Sequence, residues 1–114
     1  MVIGRNEMKT ETREKMRGGE GNVKFVHLAE AAKENHTRIL AEITLDPGCS
    51  VGYHDHQDET EYYFFLSGTG IANDNGKEIT VNAGDSMITG NGASHGVKNT
   101  GNVPLVFHAV IITN

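Results

Sequence analysis

The spacing of turn-forming residues constrains the fold more than any other feature of the sequence. From Thr37 onward, short apolar segments alternate with turns rich in Gly, Asn and Asp. Every second residue from Ile39 to Leu45 is apolar, which predicts a strand with one buried face. Asn73 to Gly76 predicts a tight hairpin, because Asn and Gly tolerate positive φ. Many short strands in a chain of 114 residues predict one all-β domain.

The predicted strands cover 23–28, 37–45, 51–56, 60–66, 70–73, 78–81, 86–89, 94–98 and 105–112. The segment 28–34 favours one or two helical turns, because it is rich in Ala and Glu. Residues 1–21 mix charges of both signs and predict a charged, irregular arm, either solvated or lying on a partner subunit. Residues 22–114 are then the folded domain.

Composition excludes several function classes. The net charge of −5 makes nucleic acid an improbable partner, and no apolar run reaches the length that spans a membrane. The first residues lack the apolar core of a signal peptide. Cys49 is the only cysteine, so no internal disulfide can form, and a cytoplasmic location is expected. Its place in a Gly-rich turn indicates a small turn residue, with a reactive role left open by the nearby histidines.

A pair of histidines and a following carboxylate indicate a metal site. His54 and His56 are two positions apart, which points both side chains to one face of a strand. Glu61 follows a short acidic loop and can return a carboxylate from the next strand. Imidazole and carboxylate together suit a divalent metal. Glu59 has the same parity as Glu61 and remains an alternative ligand.

Two longer patterns resemble a known family, the cupins. The first cupin motif, G-x5-H-x-H-x4-E-x6-G, is met at every fixed position by Gly48, His54, His56, Glu61 and Gly68. The second, G-x5-P-x-G-x2-H-x3-N, is met by Gly84, Gly92, His95 and Asn99. Gly90 stands where the family usually has Pro, and it should loosen the turn before His95. The resemblance is to small one-domain bacterial cupins, often labelled oxalate-decarboxylase-like.

The resemblance implies a jelly-roll barrel (a double-stranded β-helix) that holds one divalent transition metal. It assigns the ligands as His54, His56, Glu61 and His95, and its spacing favours Glu61 over Glu59. Three imidazoles and one carboxylate suit Mn, Fe, Co, Ni or Zn. They leave one or two coordination positions open for a small molecule. The resemblance also implies a homodimer.

Two functions follow from such a site. The first is a metal-dependent enzyme, of decarboxylase or dioxygenase type, that acts on a small organic substrate. The alternative is a non-catalytic module that binds or senses a small ligand. No catalytic proton donor is evident, and Arg38 is the nearest candidate for cationic help, with a surface ion pair as its alternative. Asp55, Asp58 and Glu59 predict an acidic loop at the mouth, which would disfavour anionic substrates.

The aromatic segment after Glu61 has apolar residues on both faces. Alternation places Tyr63 and Phe65 on the ligand face and Tyr62, Phe64 and Leu66 on the other. The second apolar face predicts a cover, either another sheet or a second subunit. His108, on the last predicted strand, is expected to be a packed or surface residue rather than a support of the metal site.

Overall fold

The structure is a computed structural model that describes residues 1–114. It contains ten strands and three 3-10 helices, at Arg5–Glu7, Met16–Gly18 and Lys33–Asn35. The strands are β1 Lys9–Glu14, β2 Asn22–His27, β3 Thr37–Leu45, β4 Ser50–Asp55, β5 Glu59–Ser67, β6 Thr69–Asp74, β7 Lys77–Asn82, β8 Ser86–Gly90, β9 Ser94–Asn99 and β10 Leu105–Thr113. The predicted all-β class is confirmed, and no helix is long and apolar enough to cross a membrane.

The strands form two antiparallel sheets. One sheet has the order β1-β2-β3-β10-β5-β8, and the other has the order β4-β9-β6-β7. Consecutive strands often lie in different sheets, so that residues far apart in the chain meet between them. A single core of 15 buried residues, including Ile43, Tyr63, Val97 and Phe107, joins the two sheets. Along most strands these residues alternate with half-buried or exposed ones, as the sequence predicts.

A β-bulge in β4 changes which residues face the core. Val51 pairs with Val97, but the next partners are His54 and His95, so β4 contains one residue more than β9. An extra residue reverses the parity of a strand. Val51 therefore faces the core, Tyr53 is exposed, and His54 points inward again.

The segment 1–21 is partly regular, whereas its mixed charges predict an irregular arm. Lys9–Glu14 forms β1, which pairs with β2 at the edge of the larger sheet. Its charges find partners there: the Arg13 guanidinium lies 4.3 Å from the centre of the Phe25 ring, and the Glu11 carboxylate lies 2.6 Å from the His27 Nε2. An exposed edge strand tolerates such residues, since charge discourages pairing with another chain.

The helical prediction for 28–34 is wrong except at its end. Only Lys33–Asn35 forms a 3-10 turn, and Leu28 donates its backbone N–H to the Leu40 carbonyl at 2.8 Å. A helix this short forms too few hydrogen bonds to offset the conformational entropy lost in its first turn. The β2–β3 connection closes instead with strand-type hydrogen bonds.

The outer face of β5 has no cover. Alternation is confirmed, because Tyr63 and Phe65 are buried while Phe64 and Leu66 are 45% and 46% exposed. Ile88 on the neighbouring β8 is 62% exposed. Of the two covers that the sequence predicts, a second sheet of the same chain is therefore excluded.

Candidate metal centre

Four side chains converge at one end of the space between the sheets. His54 lies in β4, His56 directly follows that strand, and His95 and Glu61 lie near the starts of β9 and β5. One ligand atom from each of the four lies within 4.8 Å of the other three. The two sheets thus bring together residues that the sequence separates by up to 41 positions.

The donor atoms are close and point at one another. The His56 Nε2 lies 3.0 Å from the His95 Nε2, and the Glu61 Oε1 lies 3.0 Å and 2.9 Å from these two nitrogens. The three imidazole rings meet edge to face, with centres 4.7–4.8 Å apart. His56, Glu61 and His95 are buried, whereas His54 is only half-buried. The His54 side is consequently the open side of the cluster.

Each imidazole is held from behind through its other nitrogen. The His54 Nδ1 lies 2.7 Å from the Gly52 carbonyl oxygen, and the His95 Nδ1 lies 2.9 Å from the Thr89 hydroxyl. The His56 Nδ1 lies 2.6 Å from the Glu59 carboxylate. Carbonyl and carboxylate oxygens only accept hydrogen bonds, so the Nδ1 of His54 and of His56 carries the proton. In the neutral rings, the lone pair is then on Nε2, which faces the centre of the cluster.

Glu59 supports a histidine and is not one of the four converging residues. Its carboxylate accepts two hydrogen bonds from the Arg38 guanidinium, both at 2.8 Å, besides the bond from His56. Arg38 is the extra residue of a β-bulge where β3 pairs with β10. The ion pair considered as the alternative for Arg38 is therefore its observed role. Glu59 does not belong to a solvated acidic loop, although Asp55 and Asp58 are exposed as expected.

The electrostatics of the cluster favour a cation at its centre. Burial alone would raise the pKa of Glu61, but contacts with His56 and His95 lower it to about 2. Burial alone would lower the pKa of His56, but Glu61 and Glu59 outweigh it and the pKa is raised. Burial lowers the pKa of His54. An ionised carboxylate that attracts positive charge, beside an imidazole kept neutral, is a donor set that fits a divalent metal.

These observations meet the chemical requirements of a metal site. The group is a buried N3O set with fixed ring orientations, and every buried polar side-chain atom in the structure has a hydrogen-bond partner. The four residues could therefore hold a metal ion.

The other residues named in the sequence analysis are not among the four converging side chains. Tyr63 packs against His95, with ring centres 4.8 Å apart, and burial together with the Glu61 charge raises its pKa. His108 contacts the Glu42 carboxylate at 3.1 Å on the outer face, as expected for a residue outside the site. Cys49 is half-buried and free.

Gly90 is the last residue of β8 and pairs with Thr60. A Cβ atom there would lie 2.5 Å from the Thr60 hydroxyl oxygen, so this neighbour explains the absence of a larger residue.

Thr89 is a support that the sequence analysis missed. It lies six positions before His95 on a different strand, and only the folded chain brings its hydroxyl to the imidazole. The role of Asn99 was also hidden. Its amide donates to the carbonyl oxygens of Leu45 and Val103, both at 2.8 Å, and fastens the loops at the far end of β9.

The chain is similar to proteins of known sequence and structure. An oxalate-binding protein from Thermotoga maritima is 45% identical over 98% of this chain and 93% of its own length. A crystal structure of a predicted oxalate decarboxylase from Thermotoga maritima covers 100% of both chains, with a TM-score of 0.94 and 44% identity. A polyketide cyclase from Streptomyces resistomycificus has the same fold at 19% identity, with a TM-score of 0.75 over 99% of this chain and 78% of its own.

A model of the cupin domain matches residues 41–111, which include all four converging side chains. This match covers more than half of the chain, and the resemblance of the two motifs to cupins is confirmed. With its two antiparallel sheets and its close structural relatives, the chain has the jelly-roll fold and belongs to the cupin family.

Proposed function

We propose that the protein binds one divalent transition metal through His54, His56, Glu61 and His95 and uses it to bind a small dicarboxylate of the oxalate class. The convergence of four ligand atoms within 4.8 Å is the observation that carries the metal assignment. The ligand class is supported by the relative named an oxalate-binding protein, which matches nearly the whole chain. Mn, Fe, Co, Ni and Zn all suit an N3O donor set.

The residues around the proposed metal have separate tasks. Gly52, Glu59 and Thr89 hold the three imidazoles so that Nε2 faces inward. The metal would supply a Lewis-acidic centre with open positions for carboxylate oxygens. His54 borders the open side, because it is the most exposed of the four ligands. Buried walls around the site exclude water and strengthen the attraction between metal and ligand.

Metal analysis and calorimetry test this function together. Purified protein should contain about one divalent metal per chain, because one complete donor set is present. Oxalate should bind the loaded protein and not the chelator-treated protein. The double variant His54→Ala plus His95→Ala should lose both metal and oxalate. Full metal occupancy in that variant would contradict the assignment of the metal ligands. Metal-loaded wild-type protein that does not bind oxalate would contradict the proposed class of small molecule.

A second candidate is decarboxylation of the bound dicarboxylate. The specific observation in its favour is Tyr63, a buried phenol whose ring centre lies 4.8 Å from that of His95. Cleavage of the carbon–carbon bond of an oxalate monoanion releases carbon dioxide, and the remaining carbon takes a proton to give formate. Formate from loaded wild-type protein, but not from Tyr63→Phe, would establish this reaction. Bound oxalate that stays intact would leave the protein a binding module.

We also propose that the protein is a homodimer whose subunits meet at the outer face of β5 and β8. Phe64, Leu66 and Ile88 form an exposed apolar patch there, and the ring centres of Tyr62 and Phe64 are 6.5 Å apart in a stacked arrangement. A two-fold axis would bring the same patch of two copies into contact. The expected division into an arm of residues 1–21 and a domain of residues 22–114, and the cytoplasmic location, remain proposals.

A further inference from the structure

Three times in this structure, a glutamate joins an arginine to a histidine. The three chains of contacts are Arg5–Glu42–His108, Arg13–Glu11–His27 and Arg38–Glu59–His56. In each, the guanidinium and the imidazole both lie within 3.1 Å of the same carboxylate. The same pattern in three settings shows which of its features depend on position in the fold.

The three chains of contacts differ in how deeply the histidine is buried. The His27 and His108 side chains are 27% and 35% exposed, whereas the His56 side chain is only 2% exposed. Glu59 is also the most buried of the three glutamates. Exposed ion pairs contribute little to stability, but a buried polar group needs its partner. The contacts of Glu59 should therefore matter more than those of the other two glutamates.

The three histidines also differ in the ring nitrogen that contacts the glutamate. His27 and His108 contact their glutamates through Nε2. His56 contacts Glu59 through Nδ1, at 2.6 Å. Its Nε2 is thereby left facing the candidate metal site, where it lies 3.0 Å from the Glu61 carboxylate. Of the three chains of contacts, only this one ends at the cluster of converging donor atoms.

Arg38 reaches Glu59 across an intervening strand. β10 lies between β3 and β5, and Ile112 of β10 pairs with Thr37 on one side and Thr60 on the other. Neighbouring strands are about 4.8 Å apart, so the contact spans about 10 Å. A bulge redirects the side chains of its strand, and Arg38 is the extra residue of the bulge between β3 and β10. A long side chain placed at this bulge makes the contact possible.

The Glu59 carboxylate is fixed by contacts to both of its oxygen atoms. Arg38 donates from Nε to one oxygen and from Nη2 to the other, each at 2.8 Å. The His56 Nδ1 donates to the oxygen that also accepts from Nη2. A planar guanidinium fork defines the plane of the carboxylate as well as its position. The direction in which Glu59 accepts the hydrogen bond from His56 is thus set by Arg38.

We propose that Arg38 is a positioning residue of the metal centre, which acts through Glu59 to fix the ring of His56 so that Nε2 points at the metal. This inference rests on the proposed function, since it assumes a metal bound by His56 and the other three ligands. Arg38 lies outside residues 41–111, which match the cupin domain, and its hydrogen bonds and ion pair go to Glu59 alone. Its whole effect on the metal should therefore depend on the Glu59 carboxylate.

Zinc affinity and the coupling between two substitutions test this role. Competition with a coloured chelator gives the zinc affinity of wild-type protein, Arg38→Gln, Glu59→Gln and the protein with both substitutions. Arg13→Gln is the matched control, because it breaks the same kind of contact in a chain whose histidine lies outside the site. The Arg38 side chain is 44% exposed, so its replacement should leave the fold intact. Circular dichroism and urea unfolding of each variant check this.

Arg38→Gln should weaken zinc binding about 10-fold, the lower end of the effect of disturbing the partner of a metal-binding histidine. Removal of a positive charge would by itself strengthen the binding of a cation, so a loss of affinity has the sign expected of orientation and not of charge. In the Glu59→Gln protein, the same substitution should change the affinity by less than about twofold, because the carboxylate that Arg38 holds is already gone. Arg13→Gln should behave as wild type.

Nuclear magnetic resonance of the imidazole N–H groups gives a second readout. In zinc-loaded wild-type protein the His56 Nδ1 proton should be visible, since a carboxylate holds it away from water. Arg38→Gln should lose this resonance through exchange with water and keep that of His54, which the Gly52 carbonyl holds. Arg38→Lys keeps the charge without the fork and should weaken zinc binding about threefold. It replaces Arg38→Gln in every comparison should that variant not fold.

An unchanged zinc affinity in Arg38→Gln, or a His56 resonance that survives in it, would overturn the positioning role and leave the proposed function standing. A gain in affinity would also overturn it, because the released Glu59 carboxylate would then bind the metal itself. An equal further loss when Arg38→Gln is added to Glu59→Gln would overturn it too, since Arg38 would then act by another route. Wild-type protein that binds no metal would overturn the proposed function as well, so the two failures are distinguishable.

Discussion

The two faces of β5 have opposite relations to the rest of the chain. On the inner face, Glu61, Tyr63 and Phe65 are buried and each contacts the candidate site or the core. On the outer face, Phe64 and Leu66 are about half exposed although they are just as apolar. The chain supplies packed neighbours for every inner residue, whereas on the outer face it offers Phe64 only the stacked ring of Tyr62. Burial here therefore follows position in the fold rather than residue type.

Removal of one aromatic ring from each face of β5 should have very different effects on stability. Phe65→Ala should lower the free energy of unfolding by about 3–5 kcal/mol, because it leaves a cavity in the core. Phe64→Ala, its neighbour, should cost less than about 1 kcal/mol, since its ring is already half exposed. Urea unfolding at low protein concentration measures both. Equal losses would show that the outer face is covered after all.

Acid should lower the stability of the protein by protonating Glu61 on the inner face of β5. Its pKa is about 2 in the folded protein against an ordinary value of 4.5, so folding favours the ionised form. This contribution, on the order of 3 kcal/mol, is fully present above about pH 4.5 and is lost as the pH falls through 2. Metal-free protein should lose stability over that range in unfolding experiments. Glu61→Gln should show a flatter profile, and an equally steep profile in this variant would assign the acid sensitivity to other groups.

Glu59 should matter less than Glu61, although the two lie on the same strand and have the same parity. Glu59→Gln should weaken metal binding about 10- to 100-fold, because its carboxylate no longer fixes the tautomer and orientation of His56. Competition with a coloured chelator measures the affinity. Asp58→Asn is the control, as it removes an equal charge from an exposed neighbour. An equal loss of metal affinity in both variants would show that only the total negative charge near the site matters, and not the hydrogen bond from His56 to Glu59.

The smallest effect on the single chain is expected at the outer patch. Phe64→Lys should leave metal affinity within about twofold of wild type, since its side chain points away from the site. It should nevertheless convert a dimer to a monomer, because the charge would be buried at the subunit contact. Light scattering gives the mass, and Val103→Lys, at another exposed apolar residue, is the control. A Phe64→Lys protein that remains dimeric would place the contact elsewhere.

The sequence predicts most strands and both faces of β5, because alternation is a local signal, and the resemblance of its two motifs to cupins supplies the four residues that converge. It does not predict the supports. Thr89, Glu59 and Arg38 reach the site through side-chain contacts between strands that pair only in the folded protein. The charges of β1 concealed a strand whose pairing with β2 provides the stabilisation.

The bulge in β4 has a consequence for how such a protein can change. Because of one extra residue, the same short strand contributes Val51 to the hydrophobic core and His54 to the cluster of donor atoms. Val51 and His54 are three positions apart, so regular pairing of β4 without the bulge would turn both imidazoles toward solvent whenever Val51 stays in the core. A shift of one residue in the pairing of β4 with β9 would thus change a strand that supplies donor atoms into a plain wall of the core, so the cluster depends on the bulge as much as on the histidines themselves.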